Sequence, residues 1–313
     1  MTSPEQRSPV LIGFDGYDDA TTAIRGAGAL LAPRRALVAY VWESLATLLL
    51  HSDVEGISGA MREAAEEFDA SETTRAKEVS KRGAQLAAEA GFDAQPVSMR
   101  GRPKVWPALL QLAEEHDAAA IVVGSEGLGA VKSALLGSVS AGLVHHCKRP
   151  VLIVPRGAEA PGDGPVILAY DGSEPARRGI EAAAGLVRGR EAIVTKVWTS
   201  YETVVAMGDI GMPASVAAAG AQRIDEDLAT KALKVAEEGA AAAREAGMTA
   251  SAEAVREHGS TSRTLVDSAE EHGAAAIVIG SHGRSAIGSA VLGSVAIGLV
   301  HKCPVPLLVV PDR

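Results

Sequence analysis

Cysteine is nearly absent from this chain. Cys147 and Cys303 are the only two in 313 residues, which leaves no disulfide framework to read. Aromatic residues are as sparse, at 3%, so a packed interior has to be filled by Ala, Val, Leu and Ile. No stretch offers the roughly 18 uninterrupted apolar residues of a membrane span; residues 128–144 come nearest, and Lys132 with its neighbouring glycines and serines breaks them. The opening MTSPEQRSPV lacks the charged-then-apolar order of a secretory leader. Clustered positive charge is missing too. A formal net charge of −9 argues against a nucleic-acid-binding surface, while leaving room for a local phosphate pocket built from backbone N–H groups. A cytoplasmic protein with neither a nucleic-acid nor a membrane partner is the expectation.

What is present is 47% hydrophobic and 22% charged residues, a soluble globular composition long enough for two domains. The chain is one unit written twice. EEHDAAAIVVGS at 114–125 matches EEHGAAAIVIGS at 270–281 in ten of twelve positions, and LGSVSAGLVHHCKRP at 136–150 matches LGSVAIGLVHKCPVP at 292–306 in ten of fifteen. The offset is 156 in both pairs, and again from Asp15 to Asp171, Trp42 to Trp198 and Cys147 to Cys303. Two domains, 1–156 and 164–313, joined by a Gly/Pro-rich linker at 157–163, follow from it.

Each copy runs through the same order of elements. A short apolar strand (VLIGFD, 10–15; VILAYD, 166–171) precedes a helix and a second strand (ALVAYVW, 36–42; AIVTKVW, 192–198). A variable loop (44–60; 200–216) leads to a long charged helix at about 61–90 or 221–246. Then come a weaker strand, a helix near 103–116 or 260–272, an apolar strand, a glycine-rich segment, a helix and a last strand. Continuous apolar strands alternating with helices indicate a parallel sheet covered on both faces: an α/β fold of two tandem Rossmann-like domains with five strands each. Ligands of such sheets lie beyond the strand carboxyl ends, where the strand order reverses. Asp15 and Asp171 close the first strands and the glycine segments follow the fourth, so a reversal between them would gather all these residues at one crevice.

The glycine segments, GSEGLGAVKSALLGS at 124–138 and GSHGRSAIGSAVLGS at 280–294, share the spacing Gly-x-x-Gly, nine residues, Gly-Ser. Glycines after a strand let a ligand approach the bare backbone, and a Gly-Ser opening a helix presents N–H donors at the positive end of the helix dipole. That chemistry suits phosphate; His282 and Arg284 add positive charge in the second copy. The Walker A and dinucleotide patterns do not fit, because these glycines follow the fourth strand instead of the first.

With this spacing, the order of strands, DGSEPA after the first strand and CPVPLLVVP at the end, both copies resemble universal stress protein domains of the ATP-binding type, over Val10–Pro155 and Val166–Pro311. The resemblance implies an adenine nucleotide alpha hydrolase-like fold and ATP, with or without Mg2+, as the ligand. It implies that Asp171 accepts a hydrogen bond from the adenine amino group and that the Val197 backbone meets the ring edge. Gly280 and Gly283 would line ribose and phosphates, with Gly293 and Ser294 at the phosphate chain; Ala169, Tyr170, Ile279, His282, Val295 and Ala296 flank them. In the first copy the same places fall to Asp15, Val41, Gly124, Gly127, Gly137 and Ser138, flanked by Gly13, Phe14, Val123, Glu126, Val139 and Ser140. The family pattern also implies pairing of the two domains through their last strands, and leaves a homodimer of chains open.

The copies differ where Glu126 replaces His282, Leu128 replaces Arg284 and Tyr17 replaces the serine of the DGS turn. A carboxylate about 4 Å from a phosphate charge costs roughly 4 kcal/mol at an effective dielectric near 20, so tighter binding is expected in the C-terminal copy unless Lys132 offsets Glu126 or Glu126 turns to solvent. Plainer roles compete elsewhere. Asp15 and Asp171 suit turns and caps; His145 and His301 suit helix C-termini; Cys147 and Cys303 suit buried small residues; His116 and His272 suit the surface. The functional expectation is a nucleotide-sensing stress-response module without fast turnover. A slow ATP hydrolase or ATP-using enzyme, and a nucleotide-free scaffold, are the alternatives.

Overall fold

The computed structural model describes residues 8–50, 59–101, 104–126, 136–158, 162–187, 189–201, 214–283 and 292–312. The chain divides into two compact units, 1–160 and 161–312. The first contains β1 (Val10–Gly13), α1 (Asp18–Leu31), β2 (Arg35–Glu43), α2 (Leu45–Leu50), α3 (Gly59–Glu89), β3 (Asp93–Gly101), α4 (Val105–Glu115), β4 (Ala120–Gly124), α5 (Ser138–His146) and β5 (Val151–Val154). The second contains β6 (Val166–Ala169), α6 (Glu174–Leu186), β7 (Glu191–Trp198), α7 (Ala214–Glu245), β8 (Thr249–Arg256), α8 (Thr261–Glu271), β9 (Ala276–Gly280), α9 (Ser294–Lys302) and β10 (Leu307–Val310).

The strands lie in the order β3-β2-β1-β4-β5 in the first unit and β10-β9-β6-β7-β8 in the second, parallel throughout. The order therefore reverses between β1 and β4, and between β6 and β9, which meets the condition for a shared crevice. In the first unit α1 packs with α3 and α4 with α5, a helical layer on each face; α6 with α7 and α8 with α9 repeat this in the second. Burial on both faces explains the uninterrupted apolar strands: Leu11, Ile12, Ile121 and Leu152 are sealed in one unit, and Ile167, Leu168 and Ile277 in the other. Aliphatic residues carry these cores, as the scarcity of aromatics requires.

Two of the few buried aromatics need glycines opposite them. A Cβ on Gly83 of α3 would lie 2.5 Å from the Phe14 ring, and one on Gly239 of α7 would lie 2.6 Å from the Tyr170 ring. Phe14 and Tyr170 directly precede the two switch-point aspartates, so the long helices pack against the chain beside Asp15 and Asp171.

Two local expectations need correction. β1 and β6 end at Gly13 and Ala169, two residues before the aspartates. The carboxylates make turns there: Asp15 Oδ1 accepts from Tyr17 N at 3.0 Å and Asp171 Oδ1 from Ser173 N at 2.9 Å. Residues 45–50, expected as loop, form α2, because LATLLL is made of helix formers and Ser44 Oγ accepts from Thr47 N at 3.0 Å.

The DGY-for-DGS change also has a structural consequence. Ser173 caps α6 by accepting from Ala176 N at 3.3 Å, whereas Tyr17 holds the same extended N-cap backbone on α1 without a side-chain cap bond. Tyr17→Ser is expected to stabilise the first unit by about 1 kcal/mol, read as a rise in its thermal midpoint; no rise would mean that the hydroxyl does not reach the N–H.

Candidate functional site

In the second unit a cavity of about 590 Å3 opens at the switch point between β6 and β9, within the size range of small-ligand clefts. Its wall includes Ala169, Tyr170, Asp171, Val197, Ile279, Gly280, His282, Gly283, Gly293, Ser294, Val295 and Ala296. These twelve residues of the second copy thus line one space, although the chain separates them by more than a hundred positions.

The glycines do different jobs. A Cβ on Gly283 would stand 2.9 Å from Asp171 Oδ2, so bare backbone lies against the carboxylate on the cavity wall. A Cβ on Gly280 would stand 2.9 Å from the Pro175 carbonyl, which makes Gly280 a packing glycine for the first turn of α6. Gly293 turns the chain back: its N–H donates to Ser281 O at 2.8 Å, and a Cβ would meet Ser281 O at 3.3 Å and His282 Cα at 3.4 Å. Gly293 is also the N-cap of α9 and has no side chain to cap it, so the first-turn N–H groups of Ser294, Val295 and Ala296 sit at the cavity with the positive end of the helix dipole. Asp171 divides its work, one oxygen holding the turn to Ser173 and the other beside Gly283.

The first unit repeats this frame. Gly13 and Phe14 lead from β1 to Asp15, and Val123 and Gly124 end β4. Val41 lies on β2 opposite Met99. Gly137 N donates to Ser125 O at 2.8 Å and caps α5, whose first residues are Ser138, Val139 and Ser140. The Ser140 hydroxyl is 1% exposed and reaches Ser125 O at 3.0 Å, so it braces the turn from inside. Gly127, like Leu128, Lys132, Arg284 and Gly288, lies outside the described residues.

Glu126 behaves differently from the expectation built on its charge alone. Neither Lys132 nor solvent is needed to answer it: Arg156, two residues beyond β5, holds Glu126 Oε2 at 3.0 Å and Asp19 Oδ1 at 3.4 Å. A guanidinium beside the carboxylate offsets the repulsion that a phosphate would meet. Burial pushes the Asp19 carboxyl above its usual range; Arg156 pulls it down, while Glu126, Asp15 and Asp18 push it up. In the second unit the corresponding pair has its polarity reversed, His282 Nδ1 meeting Asp312 Oδ2 at 2.6 Å. Ser281, 5% exposed, joins it through Oγ to Asp312 Oδ1 at 3.0 Å.

Arg156 and Asp312 escaped the sequence reading because they belong to no motif. Their signal was a double change at the offset of 156: Glu126 with Arg156 in one copy, His282 with Asp312 in the other. Thr195, Lys196, Thr261 and Leu265 also line the cavity and were not singled out. The other candidates settle into structural places. His145 and His301 sit in the last turns of α5 and α9, with His146 stacked on Trp106 at 4.5 Å between ring centroids. His116 caps the C-terminus of α4, and His272 Nε2 meets Glu253 at 3.1 Å on the surface. Both cysteines are buried; burial raises the Cys147 thiol and pushes Cys303 up to about 12.

A second constellation recurs in both copies and was also missed. Asp69 of α3 accepts from Leu45 N at 2.8 Å, from Arg100 at 2.9 Å and from the Ser44 hydroxyl. Asp225 of α7 accepts from Tyr201 N at 2.7 Å and lies 3.7 Å from Arg256. Each network ties the segment after the second strand to the long helix and the third strand.

Comparison with known proteins agrees with this architecture. The family model described as the Universal stress protein family matches residues 7–155 and 164–311. A universal stress protein of Mycolicibacterium smegmatis is 29% identical over 202 residues, 62% of this chain and 62% of that protein, so the chain spans less than two thirds of that relative's length. Universal stress protein YxiE of Bacillus subtilis is 27% identical over 142 residues, 45% of this chain and 95% of its own. A solved universal stress protein from Archaeoglobus fulgidus superposes with a TM-score of 0.63 at 20% identity, covering 98% of this chain and all 100% of its own. A putative universal stress protein from Pseudomonas aeruginosa gives 0.53 at 13%, over 99% and 95%. At such identities the two structures speak for the fold. No helix among the described residues is long and apolar enough to cross a membrane. The family model covers nearly the whole chain in two successive matches, and the chain belongs to the universal stress protein family, in its tandem two-domain form.

Proposed function

We propose that the C-terminal unit binds ATP, with or without Mg2+, and that the protein serves as a nucleotide-sensing stress-response module that holds its ligand without fast turnover. One observation carries this reading: Gly283 brings bare backbone against Asp171 Oδ2 on the wall of a ligand-sized cavity. In this reading Asp171 Oδ2 accepts from the adenine amino group and the Val197 backbone meets the ring edge. The open first turn of α9, at Ser294, Val295 and Ala296, receives the phosphates through its N–H groups. Asp15, Val41, Gly137 and Ser138 take the same roles in the N-terminal unit, where Arg156 offsets Glu126.

Asp171→Asn separates ligand recognition from turn formation. The amide oxygen keeps the bond from Ser173 N, while an NH2 donor replaces the oxygen beside Gly283 and opposes the adenine amino group. ATP affinity of the C-terminal unit is expected to fall at least tenfold with the thermal midpoint unchanged. Unaltered affinity in calorimetric titration would remove Asp171 from adenine recognition.

A further inference from the structure

The two units tie the same turn with contacts between an acidic and a basic side chain, placed in opposite order. In the first, the residue after Ser125 is an acid and the tail beyond β5 supplies the base: Glu126 with Arg156 at 3.0 Å. In the second, the residue after Ser281 is the base and the tail beyond β10 supplies the acid: His282 with Asp312 at 2.6 Å. The serine is tied to the same tail residue each time, Ser125 Oγ accepting from Arg156 N at 3.0 Å and Ser281 Oγ reaching Asp312 Oδ1 at 3.0 Å. The acidic and basic residues have been exchanged while the connection remains. What the two copies share is therefore the tie between turn and tail, and not the sign of the charge on the turn.

The tie matters because of what the turn carries. Residues 281–283 run from β9 to Gly283, whose backbone faces Asp171 Oδ2. Gly293, the N-cap of α9, hangs on the same turn through Ser281 O at 2.8 Å. The turn thus sets the distance between the Asp171 carboxylate and the helix N-terminus, which both line the cavity. Ser281 N donates to Val310 O at 2.7 Å, so backbone pairing fixes the start of the turn and Asp312 fixes its next residue. A carboxylate only accepts, so the 2.6 Å contact places a proton on Nδ1 of His282, which also lies 3.0 Å from Ser281 Oγ, and orients the ring. The His282 side chain is 14% exposed and Asp312 30%, against 20% and 58% for Glu126 and Arg156; the C-terminal tie is the less screened of the two.

We infer that Asp312 is a positioning residue for the C-terminal ligand site: through His282 and Ser281 it holds the glycine turn in register with Asp171 and α9, and Arg156 holds the equivalent turn through Glu126. The inference rests on the nucleotide reading for its ligand, but the tie itself is testable without one.

The full chain serves for both tests. Without ligand, imidazole 15N shifts, with His282 assigned by its loss in His282→Gln, are expected to show the proton on Nδ1 in the wild type and a mixed tautomer in Asp312→Ala. With ATP as probe, in an Asp15→Ala background that isolates the C-terminal unit, Asp312→Ala is expected to weaken binding about tenfold, the loss of a charge-assisted hydrogen bond. His282→Glu alone, which sets two carboxylates together, is expected to weaken it as much. The exchanged pair His282→Glu/Asp312→Arg copies the polarity of the first unit and is expected to return affinity to within about threefold of the background. An unchanged tautomer in Asp312→Ala, unchanged affinity in Asp312→Ala, or an exchanged pair no better than the single variants would each overturn the inference. Failure of the background protein to bind ATP would instead count against the nucleotide reading, with the tautomer test still deciding the tie.

Discussion

Gly283→Val is expected to weaken ATP binding by the C-terminal unit at least a hundredfold while leaving the sheet intact. The first atom of any side chain at this position falls 2.9 Å from Asp171 Oδ2, so either the carboxylate moves or the turn does. If the carboxylate moves, Asp171 loses its place beside the ligand and strains its bond to Ser173 N. If the turn moves, Gly293 and the first N–H groups of α9 move with it, because Gly293 N is bonded to Ser281 O. Both ways shift Asp171 relative to the first turn of α9, and losing hydrogen bonds to charged groups at about 1.5–3 kcal/mol each amounts to about a hundredfold in affinity. A valine also takes up room that the ligand needs, whereas Gly283→Ala is expected to fall between the two. Calorimetric titration with ATP, beside circular dichroism to show retained fold, reads the result. Near-wild-type affinity in a folded valine variant would mean that the close approach of Gly283 to Asp171 does not shape the ligand site.

The second large effect is one of stability and concerns Asp69. This carboxylate is 7% exposed and accepts from the Ser44 hydroxyl, Leu45 N and Arg100. Asp69→Ala leaves a buried hydroxyl and a backbone N–H without their acceptor, each costing about 1–3 kcal/mol. Arg100 contributes less, because its side chain is 51% exposed and rehydrates. The expected loss is about 3 kcal/mol in the unfolding of the first unit, read from the denaturant midpoint. Asp225→Ala is expected to cost less in the second unit, since Arg256 stands at 3.7 Å and the Asp225 side chain is 18% exposed. Equal losses, or a loss under about 1 kcal/mol at Asp69, would mean that these bonds are exchanged for water without penalty.

The frame of the site was open to sequence reading because each part has a local cause. Continuous apolar strands announce a parallel sheet, the offset of 156 aligns the copies, and glycines after the fourth strand meet the aspartate after the first wherever the strand order reverses. What escaped depends on contacts between distant residues. Glu126 read alone is a repelling charge, and only the folded chain brings Arg156 to it. Gly280 and Gly283 look alike in the motif, yet one packs against Pro175 and the other against Asp171. Asp15 and Asp171 required no choice between turn and ligand, since one oxygen can serve each. Ser44, Asp69 and Arg100 recur as Ser200, Asp225 and Arg256 at the same offset; three matches within otherwise divergent stretches were a legible signal that composition and periodicity alone do not reveal.

On the function proposed above, the chain holds ATP at the switch point of its C-terminal unit. Native mass spectrometry of the full chain titrated with ATP tests it most directly, run in parallel on the wild type and Gly283→Val. Mass additions of whole ATP molecules are expected on the wild type, with the first and tightest addition missing from the variant. Identical ATP occupancy in the two proteins, or none in the wild type at millimolar ATP, would contradict it.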